Sequence, residues 1–368
     1  MNKLVFANLV HRPLRSLISV VAVAIEVIMI LSIVGTFMGM LNDIRSRDNG
    51  IGADLMMQPS NASAFNGISG APMPIKFALV LRKLSHVKIV SPAIVKFSTN
   101  PGDFGIVDGI DYDTFDALRP FAYLRGSRFQ RPDDAVVDDV FAKSDHGYHV
   151  GQTIQIMSHS FRISGIVEAG KGARKLIPID TMGKLMAAEG KCSVFYVKVD
   201  DPANDQTVID EINSTPGLAD YPVTTMEQWM SELTPENMPG FNLALRVVTG
   251  IAVIVGFLVI FQSMYTAVLE RTREIGILKS MGASKAAIVS VVLRETAVLA
   301  VAGIILGIAG TFAVRTLLLR FFPTQHFEIT VPWIAKAAGI AFAGSILGAL
   351  YPAWMAARKD PIDALAYE

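Results

Sequence analysis

Few residues of this sequence have the type and spacing that chemistry requires. The run from Gly165 to Gly172 (GIVEAGKG) nearly matches the phosphate-binding loop Gly-x4-Gly-Lys-Ser/Thr. Gly172, however, stands where that motif needs the hydroxyl group that holds Mg²⁺. We therefore interpret the run as a turn that follows a strand. Because no other segment of the sequence matches the motif, we expect that the chain does not hydrolyse ATP itself.

Histidine, cysteine and serine residues give no catalytic or metal-binding pattern. His146 and His149, with Asp145 beside them, form only a His-x-x-His pair, without two further ligands at a defined spacing. We expect a solvated turn there and no metal site. Cys192 is the single cysteine, so an internal disulfide is excluded and a small buried side chain is expected. No Ser-His-Asp constellation stands out, so the sequence predicts neither an enzyme nor a cofactor of its own.

One carboxylate lies within a long apolar run, where a charged group is energetically unfavourable. Glu26 is the only charge between Leu17 and Leu41, a run long enough to cross a membrane. Two interpretations are open: a group that contacts substrate or gates a path between subunits, or a structural group that hydrogen-bonds another helix or extends to the membrane surface. Met29 follows on the same run and, with Glu26, forms a candidate substrate or gate site; apolar packing is the alternative for the methionine.

The remaining elements are those of a membrane protein. The chain has 368 residues, of which 51% are hydrophobic, and a mean hydropathy of +0.42, which indicates several spans and a substantial water-exposed part. Besides 17–41, uncharged runs cover 247–268, 296–314 and 337–355. The sequence therefore predicts four transmembrane helices in a 1+3 order.

Charge predicts how these helices face the membrane. Residues 43–245 hold 25 acidic and 19 basic residues, while the rest of the chain has a basic excess. Such a division is typical of a membrane protein with a basic cytoplasmic side and does not favour a nucleic-acid partner. Basic residues flank the spans at Arg12 and Arg15, at Arg271 and Arg273, and at Arg358. We expect both termini and the 270–294 loop to be cytoplasmic, and the large domain to be periplasmic or extracellular, on a multi-pass protein of the inner (plasma) membrane.

The outer domain has the pattern of an α+β fold. Short alternating segments predict strands at 89–90, 104–110, 135–137, 153–156, 161–167 and 194–199. Helices are expected at 181–188 and 205–213, and a helical stalk interrupted by Pro235 and Pro239 at 226–242. The Ser-, Asn-, Gly- and Pro-rich segment 56–73 is expected to be irregular.

The loop after the second span carries the most distinctive pattern. Between Glu270 and Ser284, charges alternate with Ile275, Ile277, Leu278 and Met281, which predicts a short amphipathic helix ended by Gly282. Such a helix either rests on the membrane surface or inserts its apolar face into a groove on a cytoplasmic partner.

This loop resembles the coupling segment of the MacB/FtsX-like ABC permease family, also called type VII or mechanotransmission permeases. The end of the chain (YPAWMAARKDPIDALAYE, 351–368) and the outer segments 150–156 and 161–167 are similar to the same family. The resemblance assigns ATPase coupling to Arg271, Thr272, Arg273, Glu274, Ile275, Gly276, Ile277, Leu278, Lys279, Met281, Gly282 and Ala283. It implies a separate cytoplasmic ABC ATPase that binds the ATP and Mg²⁺, and a second copy of this chain as a homodimer partner.

Two functions are compatible with that resemblance. In the first, ATP-driven motion of the spans moves the outer domain and exports or extrudes a hydrophobic or amphipathic substrate: a lipid, lipoprotein, glycolipid, drug, peptide or haem. A periplasmic membrane-fusion adaptor and an outer-membrane channel are candidate further partners, beside the lipid bilayer. In the alternative, an FtsX-like protein uses the same motion to activate a periplasmic partner without transport. The expected division of the chain is 1–16, 17–42 (helix), 43–243 (outer domain and stalk), 244–269 (helix), 270–287 (coupling), 288–318 (helix), 319–333, 334–357 (helix) and 358–368.

Overall fold

The computed structural model describes residues 13–59, 73–98, 105–144, 147–235, 237, 239–321 and 325–359. Four sequence expectations lie partly or wholly outside these residues: the N-terminal segment 1–16 as far as residue 12, the irregular segment 56–73 over 60–72, Asp145 with His146, and the tail 358–368 from residue 360. The chain divides into two compact units. We call them the helical unit (1–39, 240–321 and 327–368) and the sheet unit (40–239 and 322–326).

The helices within the described residues are α1 (Pro13–Ile51), α2 (Phe77–Leu81), α3 (Tyr112–Leu118), α4 (Asp139–Ala142), α5 (Ile179–Leu185), α6 (Asp205–Ser214), α7 (Met226–Glu232), α8 (Pro239–Glu270), α9 (Thr272–Ser280), α10 (Lys285–Phe321) and α11 (Val331–Arg358). The strands are β1 (Leu55–Met57), β2 (Met73–Pro74), β3 (Val87–Ser98), β4 (Gly105–Ile110), β5 (Tyr123–Gly126), β6 (Asp134–Asp138), β7 (Thr153–Ile156), β8 (His159–Val167), β9 (Lys175–Pro178), β10 (Lys191–Cys192), β11 (Val194–Val199) and β12 (Val223–Thr225).

Four of the described helices are long and apolar enough to cross a membrane: α1, α8, α10 and α11. They confirm the predicted 1+3 order, with α1 before the sheet unit and the other three after it. Small residues let them pack closely. A Cβ atom built on Gly303 or Gly307 of α10 would lie 2.6 or 2.7 Å from the Cβ of Val23 or Val27 of α1. Glycine at these two positions therefore allows the helices to approach each other, as small residues commonly do between membrane helices.

The sheet unit is built on one mixed sheet. Its strands follow the order β12-β1-β11-β3-β4-β9-β6-β8-β5, with β7 paired to β8 beside this path. The pairs β4–β9 and β6–β8 are parallel and the other pairs are antiparallel. Fully buried side chains such as Phe161, Phe195 and Leu55 fill the core. Helices and strands in this combination confirm the predicted α+β domain.

The expected strands are present, although the first one is longer than predicted because β3 continues to Ser98. The remaining strands were not predicted, because their sequence patterns are weak or short. They are β1, β2, β5, β9, β10 and β12, which have two to four residues each and show no clear alternation. The expectation that 56–73 is irregular is wrong at its two ends, where β1 and β2 pair with other strands. The predicted stalk is interrupted between Glu232 and Pro239, as its prolines require.

Candidate functional site

The loop that the sequence singled out forms a separate short helix. The chain leaves α8 at Glu270, and Arg271 has non-helical dihedral angles (φ −108°, ψ 18°), so α9 begins afresh at Thr272. After α9, Gly282 adopts a left-handed conformation (φ +93°) that most other residues avoid. Ser284 then accepts a hydrogen bond from the backbone N–H of Ala287 (3.2 Å), which starts α10. Both ends of α9 are thus defined by local sequence.

One face of α9 is fixed to the membrane helices. Ile275 is buried against Val268 of α8, Ile288 of α10 and Ala356 of α11. Thr272 is buried, and its hydroxyl donates to the carbonyl group of Leu269 at 2.8 Å. These contacts hold the helix against all three of its neighbours.

The C-terminal end of α9 has a further attachment. Lys279 donates from Nζ to the carbonyl oxygens of Ala357 (3.2 Å) and Lys359, at the end of α11. Any displacement of α9 must therefore either carry the end of α11 with it or break these charge-assisted hydrogen bonds.

The other face of α9 is exposed within the described residues. Arg273 and Glu274 are exposed, and the side chains of Ile277 and Met281 are 44% and 72% exposed. The apolar set of the predicted amphipathic helix is therefore divided between a buried residue, Ile275, and exposed ones, Ile277 and Met281. Residues two apart on a helix of 3.6 residues per turn point to nearly opposite sides, so Ile275 faces inward while Ile277 faces outward. Leu278 and Ala283 are half-buried, and Gly276 is buried.

A buried ionic cluster lies at the base of α9, and sequence reasoning missed it. Glu295 of α10 is 3% exposed and pairs with Arg271 (3.0 Å) and with Arg15 of α1 (3.5 Å). Arg15 also pairs with Glu270 at 3.2 Å. The cluster joins α1, the end of α8 and α10 by charge. The signal available in the sequence was a glutamate just inside the start of an apolar span, where it needs a partner.

A groove of about 210 Å³ opens between α8, α9 and α10. Its lining is mainly apolar, with Met264, Val268, Ile288 and Val292 among the contributors. Arg271, Glu274 and Glu295 are the charged residues that line it. The exposed face of α9 and this groove together form the candidate site, which we call the α9 surface.

Glu26 lies apart from the α9 surface, in the interior of the helical unit. It is 3% exposed, and a Cβ atom built on Gly256 of α8 would lie 2.1 Å from its Oε2. Its Oε1 lies 4.0 Å from the equivalent position on Gly344 of α11 and has no hydrogen-bond partner among the described residues. The Glu26 carboxyl is thus buried between helices, and its role as a gate or as a structural group stays a prediction. Met29 is 38% exposed, so the structure does not bring these two residues together in one buried site.

The segment that resembles a phosphate-binding loop is occupied by the protein itself. Lys171 is buried and donates from Nζ to the carbonyl oxygens of Phe115 (2.9 Å) and Arg119, at the end of α3. The ring of Phe121 lies 4.0 Å from Nζ. Burial lowers the pKa of Lys171 to about 8. The backbone N–H of Gly172 is likewise used, by the carbonyl oxygen of Arg47. These groups are arranged to bind protein, which agrees with the interpretation as a structural turn.

The histidines near the predicted His-x-x-His pair that the structure describes, His149 and His159, make separate contacts. His149 is exposed, and His159 pairs through Nε2 with Asp133 at 2.8 Å. Among the described residues, no group of three or more His, Cys, Asp or Glu side chains is arranged to hold a metal ion. Cys192 is buried, as expected, and burial raises the pKa of its thiol.

One apolar helix, an inserted α+β domain and three further apolar helices, with a short anchored helix between the second and third, define a membrane protein of the permease class. Two family descriptions match it: "MacB-like periplasmic core domain" over residues 16–215 and "FtsX-like permease C-terminal" over residues 246–361. The first covers more than half of the 368 residues. The chain therefore belongs to the MacB/FtsX-like family of ABC transporter permeases.

Individual relatives agree with this assignment. The chain is 26% identical to the "Uncharacterized ABC transporter permease YvrN" of Bacillus subtilis (strain 168), over 99% of this chain and 98% of that protein. It is 24% identical to the "Macrolide export ATP-binding/permease protein MacB" of Shewanella sp. (strain W3-18-1), over 97% of this chain and 59% of that protein. The chain thus spans about three fifths of the length of this MacB relative.

Among solved structures, the periplasmic region of MacB from Actinobacillus actinomycetemcomitans resembles part of the chain. The TM-score is 0.39 at 16% sequence identity, over 50% of this chain and 94% of that one.

Proposed function

We propose that this chain is the membrane subunit of an ABC transporter and that a separate cytoplasmic ATPase docks on the α9 surface. One observation carries the proposal: α9 is anchored on one face by Ile275, Thr272 and Lys279, while Arg273, Glu274 and Ile277 on its other face are exposed. A rigidly held helix that presents two charges and an apolar residue is suited to enter a groove on a partner. ATP and Mg²⁺ bind that partner.

The proposed orientation places α9 in the cytoplasm and the sheet unit outside. Basic residues around α9 and at the end of α11, including Arg271, Arg273 and Arg358, support this orientation. The sheet unit then lies in the periplasm or outside the cell, on a protein of the plasma membrane. Two copies of the chain form the membrane part, since one ATPase dimer drives two membrane halves.

The proposed activity is mechanical export or extrusion of a hydrophobic or amphipathic substrate: a lipid, lipoprotein, glycolipid, drug, peptide or haem. Relatives that are named for macrolide export support a cargo of this chemical type. The continuous helix α1 supports the mechanical part, because its residues belong to both the helical unit and the sheet unit. A periplasmic adaptor and an outer-membrane channel complete the path where a second membrane is present.

Affinity purification tests the docking. The tagged chain is extracted in detergent from the organism that encodes it. An ABC ATPase should be purified with it in a 1:1 ratio. The double variant Glu274→Ala/Ile277→Ala should lose most of it, because truncation of central interface residues commonly costs about 1–3 kcal/mol each. Glu274 is exposed and Ile277 is 44% exposed, so neither substitution opens a cavity in the fold.

A matched control separates docking from general damage. Ile305→Ala changes a 63% exposed isoleucine of α10, outside the α9 surface, and should leave the ATPase bound. Recovery of the wild-type chain without any ATPase would contradict the proposed function. Equal recovery with wild type and the α9 double variant would instead move the docking site elsewhere on the chain.

A further inference from the structure

The segment Gly170–Arg174, which we call the strap, is a feature that ATPase docking does not use. It follows β8 and leads into β9, and it includes the glycine-lysine run that resembles a phosphate-binding loop. Its residues contact two different parts of the sheet unit. Gly170, Gly172 and Arg174 contact the end of α1, while Lys171 and Ala173 contact the core of the domain.

Backbone contacts join the strap to α1 most closely. The strap's Gly172 donates its N–H to the carbonyl oxygen of Arg47 (3.1 Å) and accepts a hydrogen bond from Nη1 of the same arginine (3.1 Å). A Cβ atom built on Gly50 would lie 1.5 Å from the carbonyl oxygen of Gly170. No side chain fits at residue 50 unless the strap moves away from α1.

Arg174 extends this attachment with charge. Its guanidinium group donates from Nη2 to Asp43 of α1 (3.0 Å) and from Nη1 to Asp138 of β6 (3.1 Å). Arg174 is largely buried, with a side chain 13% exposed. Asp43 also accepts from Nε of Arg47 at 3.0 Å, so the two arginines hold the same carboxylate. Largely buried ion pairs of this kind are costly to break one partner at a time.

The alternate residues of the strap bind the domain core. Lys171 donates to the carbonyl oxygens of Phe115 and Arg119, as described above. Ala173 donates its N–H to Oδ2 of the buried Asp108 of β4 at 2.7 Å. The strap bends at Gly170 (φ +117°) and Gly172 (φ +64°), and its residues thus contact α1 and the core at once.

The end of α1 is held on a second side as well. The face of α1 that contacts the strap carries Asp43, Arg47 and Gly50, at spacings of four and three residues.

Another face of α1 contacts the region of α7. Arg45 donates to the carbonyl oxygens of Met230 and Leu233, and Asp48 accepts from the indole N–H of Trp229 at 3.0 Å. The strap and the α7 region therefore contact different faces of the end of α1.

We propose that the strap is the joint through which a displacement of α1 reaches the sheet of the outer domain, with Arg47 and Arg174 as its positioning residues. This proposal rests on the proposed mechanical function and adds the place where motion passes from helix to sheet. The strap connects directly to β9, which lies between β4 and β6 in the sheet, so a pull on the strap acts on its interior. The joint requires that α1 and the strap stay attached while the chain moves.

Hydrogen–deuterium exchange of the full chain in lipid nanodiscs, without ATPase, tests the attachment. In the Arg47→Ala/Arg174→Ala variant, peptides covering 43–51 and 169–175 should exchange at least about tenfold faster than in wild type, because charge-assisted hydrogen bonds to both segments are lost. Peptides of β11 should be unchanged. Arg128→Ala is the matched control, since Arg128 lies in the same unit with a side chain 59% exposed, pairs with the exposed Asp113 and lies over the ring of Tyr112, away from the strap.

Wild-type protection of both segments in the double variant would overturn the attachment. If β11 also exchanges faster, the double variant has damaged the whole domain, and Arg47→Lys decides in its place. Lysine keeps the charge but lacks the forked donor, so it should give an intermediate increase confined to the two segments. No increase with Arg47→Lys would count against the proposal.

A distance measurement tests transmission. Spin labels are attached at Asn213→Cys in the sheet unit and Lys285→Cys at the start of α10, both exposed, with Cys192→Ala, and labelled chains are diluted with unlabelled ones. In the complex with the ATPase, ATP should change the distance between the labels. The Arg47→Ala/Arg174→Ala variant should keep the ATPase bound and active but lose at least half of that change.

The outcomes separate the two proposals. An undiminished distance change in the double variant would overturn the strap as the joint. A bound ATPase without any distance change in the wild-type background would contradict the mechanical function itself. The attachment of the strap to α1 would still be tested by the exchange experiment, which does not involve the ATPase.

Discussion

Asp108 has a buried carboxyl group, whose ionised form is destabilised by the loss of contact with water. It is 3% exposed; its Oδ2 accepts the N–H of Ala173, and its Oδ1 has no hydrogen-bond partner among the described residues. Burial raises its pKa to about 7, the hydrogen bond from Ala173 and the charge of Arg47 lower it, and the charge of Asp48 raises it. This carboxyl therefore changes its protonation state near neutral pH.

Asp108→Asn should make the stability of the chain less dependent on pH. The folded chain takes up a proton on Asp108 at about pH 7, whereas the unfolded chain does so near 3.8. The cost of burying this charge is thus fully present above pH 7 and decreases as the pH falls toward 4. Thermal unfolding in detergent should show the variant stabilised at pH 8, relative to wild type, by a few kcal/mol more than at pH 5, at about 1.4 kcal/mol per unit of pKa.

Asp139→Asn serves as the control for that measurement. A side-chain hydrogen bond from Lys143 is the main cause that lowers the pKa of Asp139, so the stabilisation from this group is present above about pH 4 and is lost only below it. Between pH 5 and pH 8 the control should follow the wild-type curve. Parallel curves for wild type and Asp108→Asn would show that Asp108 does not titrate in this range.

Glu26 and Gly256 should behave as a coupled pair. Gly256→Ala places a methyl group 2.1 Å from Oε2 of Glu26, so we expect a destabilisation of about 1–3 kcal/mol from overpacking. Glu26→Ala removes the carboxyl, and the double variant should regain most of that loss. Unfolding of the three variants in detergent measures the coupling energy, and additive effects would contradict the contact.

At the scale of the element, Gly282 determines how α9 ends. Its φ of +93° disfavours any side chain, so Gly282→Ala should strain the turn by about 1 kcal/mol or more and shift the end of α9. We expect a slower ATPase in the complex, with the chain still inserted in the membrane. Gly339→Ala, in the interior of α11 with open space around it, is the matched control and should leave the rate unchanged.

The sequence predicts the helices and strands that have long or regular patterns. The four apolar spans and strands β4, β7 and β11 followed from composition and alternation. Short strands such as β9 did not, because their pairing depends on neighbours distant in sequence. The burial of Ile275 did not follow from the sequence either, since its partners on α8, α10 and α11 are brought together only in the folded chain.

The candidate site was predictable in part for the same reason. The α9 segment was identified from its alternating charges and its resemblance to a family, and the structure gives it a fixed position in the helical unit. The buried Glu295 cluster and the strap were not identified. Both depend on contacts between residues more than a hundred positions apart, such as Arg15 with Glu295 and Arg47 with Gly172.

At the scale of the whole molecule, labelling of intact cells tests orientation. With Cys192→Ala, a thiol reagent that does not cross membranes should modify Asn213→Cys but not Lys285→Cys, because the sheet unit is proposed to face outward and α9 inward. Both positions are exposed. Permeabilised cells should show modification at both, which controls for reactivity. The reverse pattern in intact cells would invert the proposed topology.

The place of β1 in the sheet determines when this protein can fold during its synthesis. β1 lies between β11 and β12, so its two neighbours come from the end of the domain. The ribosome must therefore complete the chain through Thr225 before β1 has both partners. Until then, α1 alone tethers a growing chain with unpaired strand edges. We expect that translation pausing before α8 is synthesised leaves this chain more exposed to proteases and chaperones than pausing after it.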